Sequence, residues 1–303
     1  MRVSRWGWSS YETAAALAQE ASMLAQVVDV QAPRSDAEVL TVNSGTVVNG
    51  ALLEAAPSAR LVLTTTSGFD HLDLQALRER GIQAARCPMA RRDAVVESAL
   101  ALLLDGFRSH GPLEAASREG RWARSELPRL GMRLLRGATV GVVGLGIIGR
   151  RMVEVLATLG ATVVGCDPAG GPEGLRLEAF HDLAGICDAV TLHCRLDTTS
   201  TRLVSLDWLA RARGMILVNT ARGDVVDVDA AVKSAAAGHL KYLGLDVFPK
   251  EPWAELAQSA SPNIAYLPHA AGFHDGLNRA VAAELHAAVS AYAAGRPVPH
   301  RVV

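Results

Sequence analysis

From Thr139 onward the chain alternates short runs of β-branched and other apolar residues with longer stretches of helical periodicity. The runs are TVGVV, ATVVGC, DAVTLHC, GMILVNT, YLGLDVF and NIAYL. Such alternation brings successive strands parallel and leaves helices on both faces, so an α/β, doubly wound sheet of six strands is predicted. The first part of the chain carries a weaker version. It reads as a helix over Tyr11 to Ala25, strands near Val39 to Val42 and Arg60 to Thr64, and a helix near Leu72 to Arg80. Between the two parts lies AVVESALALLLDGFR, an apolar-faced helix with Asp93 placed to cap its start, followed by the polar segment Ser109 to Arg129. The closing stretch GLNRAVAAELHAAVSAYAAG reads as an amphipathic helix ended by Gly295, with Pro297 barring continuation. Because it follows a completed sheet, it is expected to pack back on the first unit.

A length of 303 residues at 50% hydrophobic content suffices for two domains with sizeable cores. Thirty basic against 31 acidic residues leave a formal charge of −1, which offers no reservoir of positive charge for nucleic acid or anionic lipid. The start MRVSRWGWSSYETAAALAQEA lacks the apolar core of a signal peptide, and no apolar stretch is long enough to span a membrane. A soluble, cytoplasmic protein without nucleic-acid or membrane partners is therefore expected. The four cysteines, Cys87, Cys166, Cys187 and Cys194, form no C-x-x-C pair and no zinc-finger cluster, so they read as reduced thiols in apolar strands, and no metal is expected.

About halfway along, VVGLGIIG places Gly144, Gly146 and Gly149 at G-x-G-x-x-G spacing directly behind the run TVGVV. Alone, this spacing is weak evidence for a nucleotide floor, because glycines at strand-to-helix turns are common. Its context decides: IIGRRMVEVLATLG follows with a helical apolar face, and the next strand ends in Asp167, at the spacing of a dinucleotide fingerprint. Gly144 permits the turn, Gly146 lets the backbone approach a pyrophosphate, and Gly149 lets helix and strand pack. The N–H groups at the helix start, around Ile147 and Ile148, face the anion. Asp167 would accept from both hydroxyls of the adenosine ribose and repel a 2′-phosphate, so NAD is favoured over NADP. A turn residue before Pro168 is the plainer reading of Asp167.

Three later segments place a polar residue at or just past the carboxyl end of a strand, where open α/β sheets bind ligands. They are Arg222 in VNTARGDVVD, Glu251 in GLDVFPKEP and His269 in YLPHAAG. Taken singly, each has an ordinary role open to it: a surface ion pair, a solvated loop charge, a helix cap. Their recurrence after three strands of one nucleotide-binding sheet favours a catalytic set.

Through the segments SGFDHLD, VVESALALLL, GVVGLGIIG, VNTARGDVVD, LDVFPKEP and PHAAG, the chain resembles the D-isomer-specific 2-hydroxyacid dehydrogenases over nearly its whole length. The resemblance implies two Rossmann-like doubly wound domains with a cleft between them. Residues 1–92 and 273–303 would form a flavodoxin-like substrate domain, and 93–272 the dinucleotide-binding domain. It implies a 2-oxo acid reduced by hydride transfer, with His269 as acid/base, Glu251 as its partner and Arg222 orienting the substrate. Ser67 and Gly68 would clasp the substrate carboxylate through their N–H groups. Asp246 would hold the nicotinamide carboxamide, while Cys194, Thr220, Ala221 and Gly272 would line the cofactor. The family also implies a homodimer formed through the cofactor domain, with Ser109 to Arg129 as an arm. A non-catalytic NAD sensor of corepressor type on the same scaffold is the alternative, against which the chain shows no basic or disordered partner-binding tail.

Departures from the family pattern are informative. Asn43-Ser44 stands where members acting on phosphoglycerate often carry arginine-serine, which removes that grip on a phosphate. Arg91 stands where asparagine is common, so Arg91, or Arg92 beside it, is read as a contact for a second anionic or polar substrate group, with an exposed interdomain arginine as the plain alternative. Arg195 replaces a usual proline near the adenosine end and would partly offset Asp167 toward a 2′-phosphate. Glu251 itself argues against formate dehydrogenases, which use glutamine in that role.

Overall fold

Parallel pairing dominates, as the alternation requires. The computed structural model describes residues 1–7, 12–25, 29–31, 33–253 and 261–303. The chain divides into two units, Met1–Arg91 with Phe273–Val303, and Arg92–Gly272.

In the first unit, β1 (Arg2–Trp6), β2 (Asp29–Gln31), β3 (Val39–Val42), β4 (Leu61–Thr64) and β5 (Gln83–Arg86) form a parallel sheet in the order β2-β1-β3-β4-β5. This is the doubly wound order with a switch point between β1 and β3. On one face lie α1 (Ala14–Ala25) and the closing helix α10 (Leu277–Ala293), whose row of Leu277, Val281, Leu285 and Val289 packs with Val3, Leu61 and Leu63. On the other lie α2 (Gly50–Ala55) and α3 (Leu74–Glu79), capped by the side chains of Asn49 and Asp73. The closing helix therefore returns to the first sheet, as expected, and stops where Gly295 takes a φ of 63°. Beyond it the chain pairs antiparallel with β5 through Ala85 and Arg301.

Strands β1, β2 and β5 and helix α2 were not foreseen. In β1 the reason is chemical: Ser4 and Arg5 read as surface residues, yet both are buried. Arg5 pairs there with Glu12 and Glu20, so the buried guanidinium is not left without a counter-charge. The expected helix over Tyr11 to Ala25 is observed from Ala14; Tyr11 lies outside the described residues.

In the second unit, β6 (Thr139–Val143), β7 (Thr162–Cys166), β8 (Arg176–Leu177), β9 (Ala189–Leu192), β10 (Met215–Asn219), β11 (Leu240–Leu245) and β12 (Ile264–Tyr266) form one parallel sheet. The order is β12-β11-β10-β9-β6-β7-β8. All six predicted strands are present, and the seventh, β8, was missed because its two exposed residues carry no apolar run. One face is covered by α4 (Met89–Arg108) and α6 (Ile147–Thr158) through Ala99, Leu103, Met152 and Leu156. The other is covered by α7 (Phe180–Ile186), α8 (Leu206–Leu209) and α9 (Val228–Ala236) through Leu183, Trp208, Leu209 and Ala231. The segment from Ser109 holds α5 (His110–Arg118) and a short 3₁₀ turn, Ala123–Arg129.

One expectation is corrected. Asp93 does not cap α4, which begins four residues earlier, at Met89. The cap comes instead from Glu284 on α10, which accepts from the N–H groups of Met89 at 3.2 Å and Ala90 at 2.5 Å. Asp93 pairs with Arg92 and Arg151. All four cysteines are free, and burial pushes each thiol above its ordinary range.

Leu285 is fully buried between α10 and the five-stranded sheet. Leu285→Ala is expected to lower unfolding free energy by about 2–5 kcal/mol in a urea titration, through lost burial and the cavity left behind.

Candidate functional site

Strand β6 runs out at Val143, and the chain must then turn sharply to start α6. Gly144 makes the turn at a φ of 87°, and a Cβ there would lie 2.5 Å from the Cys194 backbone. A Cβ on Gly149 would meet the Gly144 carbonyl oxygen at 1.8 Å. Gly146 differs: beside it a Cβ would find open space. Gly146 also precedes α6 without a side-chain cap, and no acceptor among the described residues takes the N–H groups of Ile147, Ile148 or Gly149. Two glycines are thus demanded by protein packing, while the third opens onto unpaired donors at a helix start. That is the cradle a pyrophosphate requires, and the residues present fit a dinucleotide.

Asp167, just past β7, accepts from the Leu145 N–H at 2.7 Å with one oxygen and from the Ala169 N–H at 2.8 Å with the other. It therefore ties the glycine turn to the neighbouring strand end, and each oxygen keeps a lone pair for a further donor. Arg195, past β9, is 69% exposed and donates through Nε to Asp197 at 2.8 Å. Hydrogen bonds from the Thr199 hydroxyl and N–H, with Arg195 adding its charge, pull the Asp197 carboxyl down to about 2. A carboxylate with a lowered pKa thus accompanies the guanidinium.

The other edge positions three more groups. At the end of β10, the buried Asn219 accepts from the Ala221 N–H at 3.0 Å and donates to the Arg222 carbonyl at 2.8 Å. This closed loop fixes the backbone from which Arg222 extends, half-buried and donating to the Ala221 carbonyl. The Thr220 hydroxyl, 8% exposed as a residue, has no partner among the described residues. Gly223 follows, where a Cβ would lie 1.9 Å from the Phe248 carbonyl carbon. The loops after β10 and β11 are thereby drawn together.

Past β11, Glu251 accepts from the Phe248 N–H at 3.1 Å through Oε1 and meets His269 Nδ1 at 2.7 Å through Oε2. A carboxylate can only accept, so Nδ1 carries the proton and Nε2 is left for another partner. The hydrogen bond and charge of Glu251, with Asp246 adding to them, outweigh burial and Arg222 and raise the His269 pKa. Burial works against the Glu251 charge, but the bonds from His269 and Phe248 and the cationic His269 and Arg222 prevail and lower its pKa. Each partner therefore stabilises the charged form of the other.

His269 sits at a φ of 54°, a left-handed conformation unusual for a residue with a side chain. Asp246 holds it there. Its carbonyl accepts from the His269 N–H at 2.8 Å, and its carboxylate, 1% exposed, accepts from Ala270 at 2.7 Å and Ala271 at 3.1 Å. Burial raises the Asp246 pKa against the pull of these N–H groups. The Asp246 carboxylate, expected on a nicotinamide carboxamide, also orders the turn that carries the imidazole. Asn219, Gly223 and this task of Asp246 escaped the sequence reading; the only sequence signal was a buried-type asparagine ending an apolar run. Gly272 closes the second unit, half-buried.

Ser67, Gly68 and Arg91 belong to the first unit. Ser67 and Gly68 follow β4, and no acceptor among the described residues takes either N–H. Arg91 donates to the Thr65 carbonyl of the same loop. Asn43 turns its side chain inward, accepting from the Gly45 N–H and the Thr46 hydroxyl, both at 3.1 Å. Among the described residues no cluster of potential ligands could hold a metal ion, and no helix is long and apolar enough to cross a membrane.

Residues 100–271 match the family model for the NAD binding domain of the D-isomer specific 2-hydroxyacid dehydrogenases. The chain is 34% identical to the D-3-phosphoglycerate dehydrogenase of Mycobacterium tuberculosis over 77% of its own length and 45% of that protein. It is 29% identical to the hydroxypyruvate reductase of Thermotoga maritima, over 82% of this chain and 83% of that one. The chain thus spans about half the length of the phosphoglycerate relatives it matches. Its fold is shared with the D-lactate dehydrogenase of Aquifex aeolicus, solved with NAD and lactic acid, at a TM-score of 0.83 and 23% identity over 97% of this chain and 96% of that one.

Glu251→Gln removes the charge that sustains the imidazolium while keeping a hydrogen-bond acceptor. The His269 pKa is expected to fall, read from the pH dependence of its ring proton shifts by NMR; an unchanged value would mean that Glu251 does not govern it.

Proposed function

The chain belongs to the D-isomer specific 2-hydroxyacid dehydrogenase family, and from that premise we propose that it interconverts a 2-oxo acid and a D-2-hydroxy acid, using NAD. The observation that carries the reading is the 2.7 Å contact of His269 Nδ1 with Glu251, which leaves Nε2 as the working atom beside the charge of Arg222.

Bound on the glycine turn, with Ile147, Ile148 and Gly149 at its pyrophosphate and Asp167 at its ribose, NAD(H) would supply or accept the hydride. Cys194, Thr220, Ala221 and Gly272 are assigned to the same cofactor. Reduction turns a carbonyl oxygen into an alkoxide, and His269 gives it the Nε2 proton. Glu251 stabilises the imidazolium before that transfer and keeps the ring oriented afterwards. Arg222, a planar cation, donates to the substrate carbonyl and carboxylate, which fixes the reacting carbon and stabilises the developing negative charge. In the first unit, the free N–H groups of Ser67 and Gly68 take the carboxylate, and Arg91 is assigned to a further polar group. Asp246 acts through the backbone of His269.

NAD is favoured over NADP in this reading because Asp167, assigned to the ribose, would repel a 2′-phosphate, and because Asp197 answers the charge of Arg195. Asp167→Ser is expected to shift the kcat/KM preference toward NADPH. The reading extends to a cytoplasmic homodimer formed through the cofactor unit, supported by four unpaired thiols and by Trp122 and Leu134, 86% and 64% exposed on that unit. Analytical ultracentrifugation checks the dimer.

The decisive assay follows oxidation of NADH with glyoxylate, hydroxypyruvate, 2-oxoglutarate and branched-chain 2-oxo acids. Turnover is expected with at least one, and His269→Asn should lower kcat by roughly 10²–10⁴-fold. Because the imidazole must be protonated, kcat/KM for reduction should hold at low pH and fall as pH rises through its elevated pKa, with the break displaced to lower pH in Glu251→Gln. Silence with every acid, with NADH still bound, would replace this reading with that of a sensor.

A further inference from the structure

In the loop after β4 the carbonyl groups of Thr65, Thr66, Ser67 and Gly68 are each taken by a donor. The Thr65 carbonyl accepts from Arg91, and the Thr66 carbonyl accepts from the Cys87 N–H at 3.2 Å. The Ser67 carbonyl accepts from Arg86 Nη1 at 2.8 Å, and the Gly68 carbonyl from the Thr66 hydroxyl at 2.8 Å. Across a trans peptide the N–H points opposite to the C=O. Anchoring the Thr66 and Ser67 carbonyls therefore aims the N–H groups of Ser67 and Gly68 the other way, and both lack an acceptor among the described residues. Two successive free N–H groups form an anion-binding concavity.

Arg86 gives this concavity a charge. Its guanidinium lies 5.4 Å from the centre of the Phe69 ring, which with the Ser67 bond fixes the cation behind the peptide that presents the Gly68 N–H. The nearby acid, Glu284, has both oxygens engaged by the N–H groups of Met89 and Ala90. Arg86 thus polarises the peptide toward an incoming anion without touching it.

We propose that Arg86 is a positioning residue for carboxylate recognition: it locks the Ser67–Gly68 peptide with its N–H outward and places a cation behind it. The proposal rests on the assignment of Ser67 and Gly68 to the substrate carboxylate, and it names the class of ligand as a small 2-oxo carboxylate whose affinity is set partly by a group beyond contact distance.

The test separates the two claims. Oxamate, an unreactive mimic of a 2-oxo acid, is titrated into the NADH-loaded protein while the amide resonances of Ser67 and Gly68 are followed. Shifts at these amides are expected in the wild type, with Kd weakened on the order of tenfold in Arg86→Met. Arg86→Lys, which keeps the charge, should recover much of the loss. In turnover, Arg86→Met should raise KM for the 2-oxo acid by a larger factor than it lowers kcat, with NADH affinity held. Equal affinity for oxamate in Arg86→Met and wild type overturns the role of Arg86. So does a loss that Arg86→Lys fails to recover, or one shared by NADH binding, because either marks a structural defect. If Arg86→Met does not fold, Arg86→Gln against Arg86→Lys gives the same comparison. Wild-type protein in which oxamate moves neither amide overturns the assignment of Ser67 and Gly68 and the proposal with it. Absence of turnover alongside those shifts overturns only the catalytic reading.

Discussion

The candidate chemistry of the second unit depends on the register of three parallel strands. Asn219 on β10 pairs with Leu245 on β11, and Leu245 pairs with Tyr266 on β12, so all three strands end at one level. Whatever follows each strand must emerge at the same edge. Arg222, Asp246 with Glu251, and His269 therefore converge although they stand well apart in sequence. Gly223 completes the convergence, since a side chain there would drive the loop away from Phe248 and hence from Glu251. The same edge carries the glycine turn after β6, because β6 pairs with β9 and β9 with β10. One ladder thus supplies a place for a dinucleotide and a place for acid-base chemistry.

How much of this the sequence revealed follows from how local each determinant is. The glycine turn was legible because an apolar run, three spaced glycines and an apolar-faced helix are contiguous. The catalytic candidates were legible because each follows a recognisable strand. Strand β1 was not, because Ser4 and Arg5 are polar and the pairing of Arg5 with Glu12 and Glu20 exists only once the chain has folded. The start of α4 was misplaced for a similar reason. Asp93 is a good local cap, but Glu284, 195 residues from Met89, supplies the cap actually formed. Arg86 reads as an ordinary strand-end cation until its bond to Ser67 is seen. Local patterns thus revealed the scaffold, and the long-range polar contacts that tune it stayed hidden.

Four ionisable groups share the far edge of the seven-stranded sheet, and burial sorts them. Asp246 is sealed among backbone N–H groups, where desolvation raises its pKa, while Glu251, 37% exposed in its side chain, is lowered by its cationic neighbours. Two carboxylates close in sequence thus acquire different tasks from their surroundings. The exposed one can exchange charge with an imidazole that gains and loses protons. The sealed one is fitted to hold shape, since its oxygens already serve Ala270 and Ala271.

That division explains why a histidine occupies a backbone conformation better suited to glycine. A left-handed φ at a residue with a Cβ costs about 1–3 kcal/mol. The N–H groups of Ala270 and Ala271 donate to the Asp246 carboxylate and that of His269 to the Asp246 carbonyl; the two bonds to the charged acceptor contribute about 1.5–3 kcal/mol each, which is enough to offset the strain. Glycine would relieve the backbone but remove the imidazole. A relaxed backbone would keep the imidazole but turn Nδ1 away from Glu251, leaving neither its tautomer nor its raised pKa fixed. Strain at His269 is therefore the consequence of requiring a side chain at a tight turn, and the buried carboxylate is what lets that turn persist.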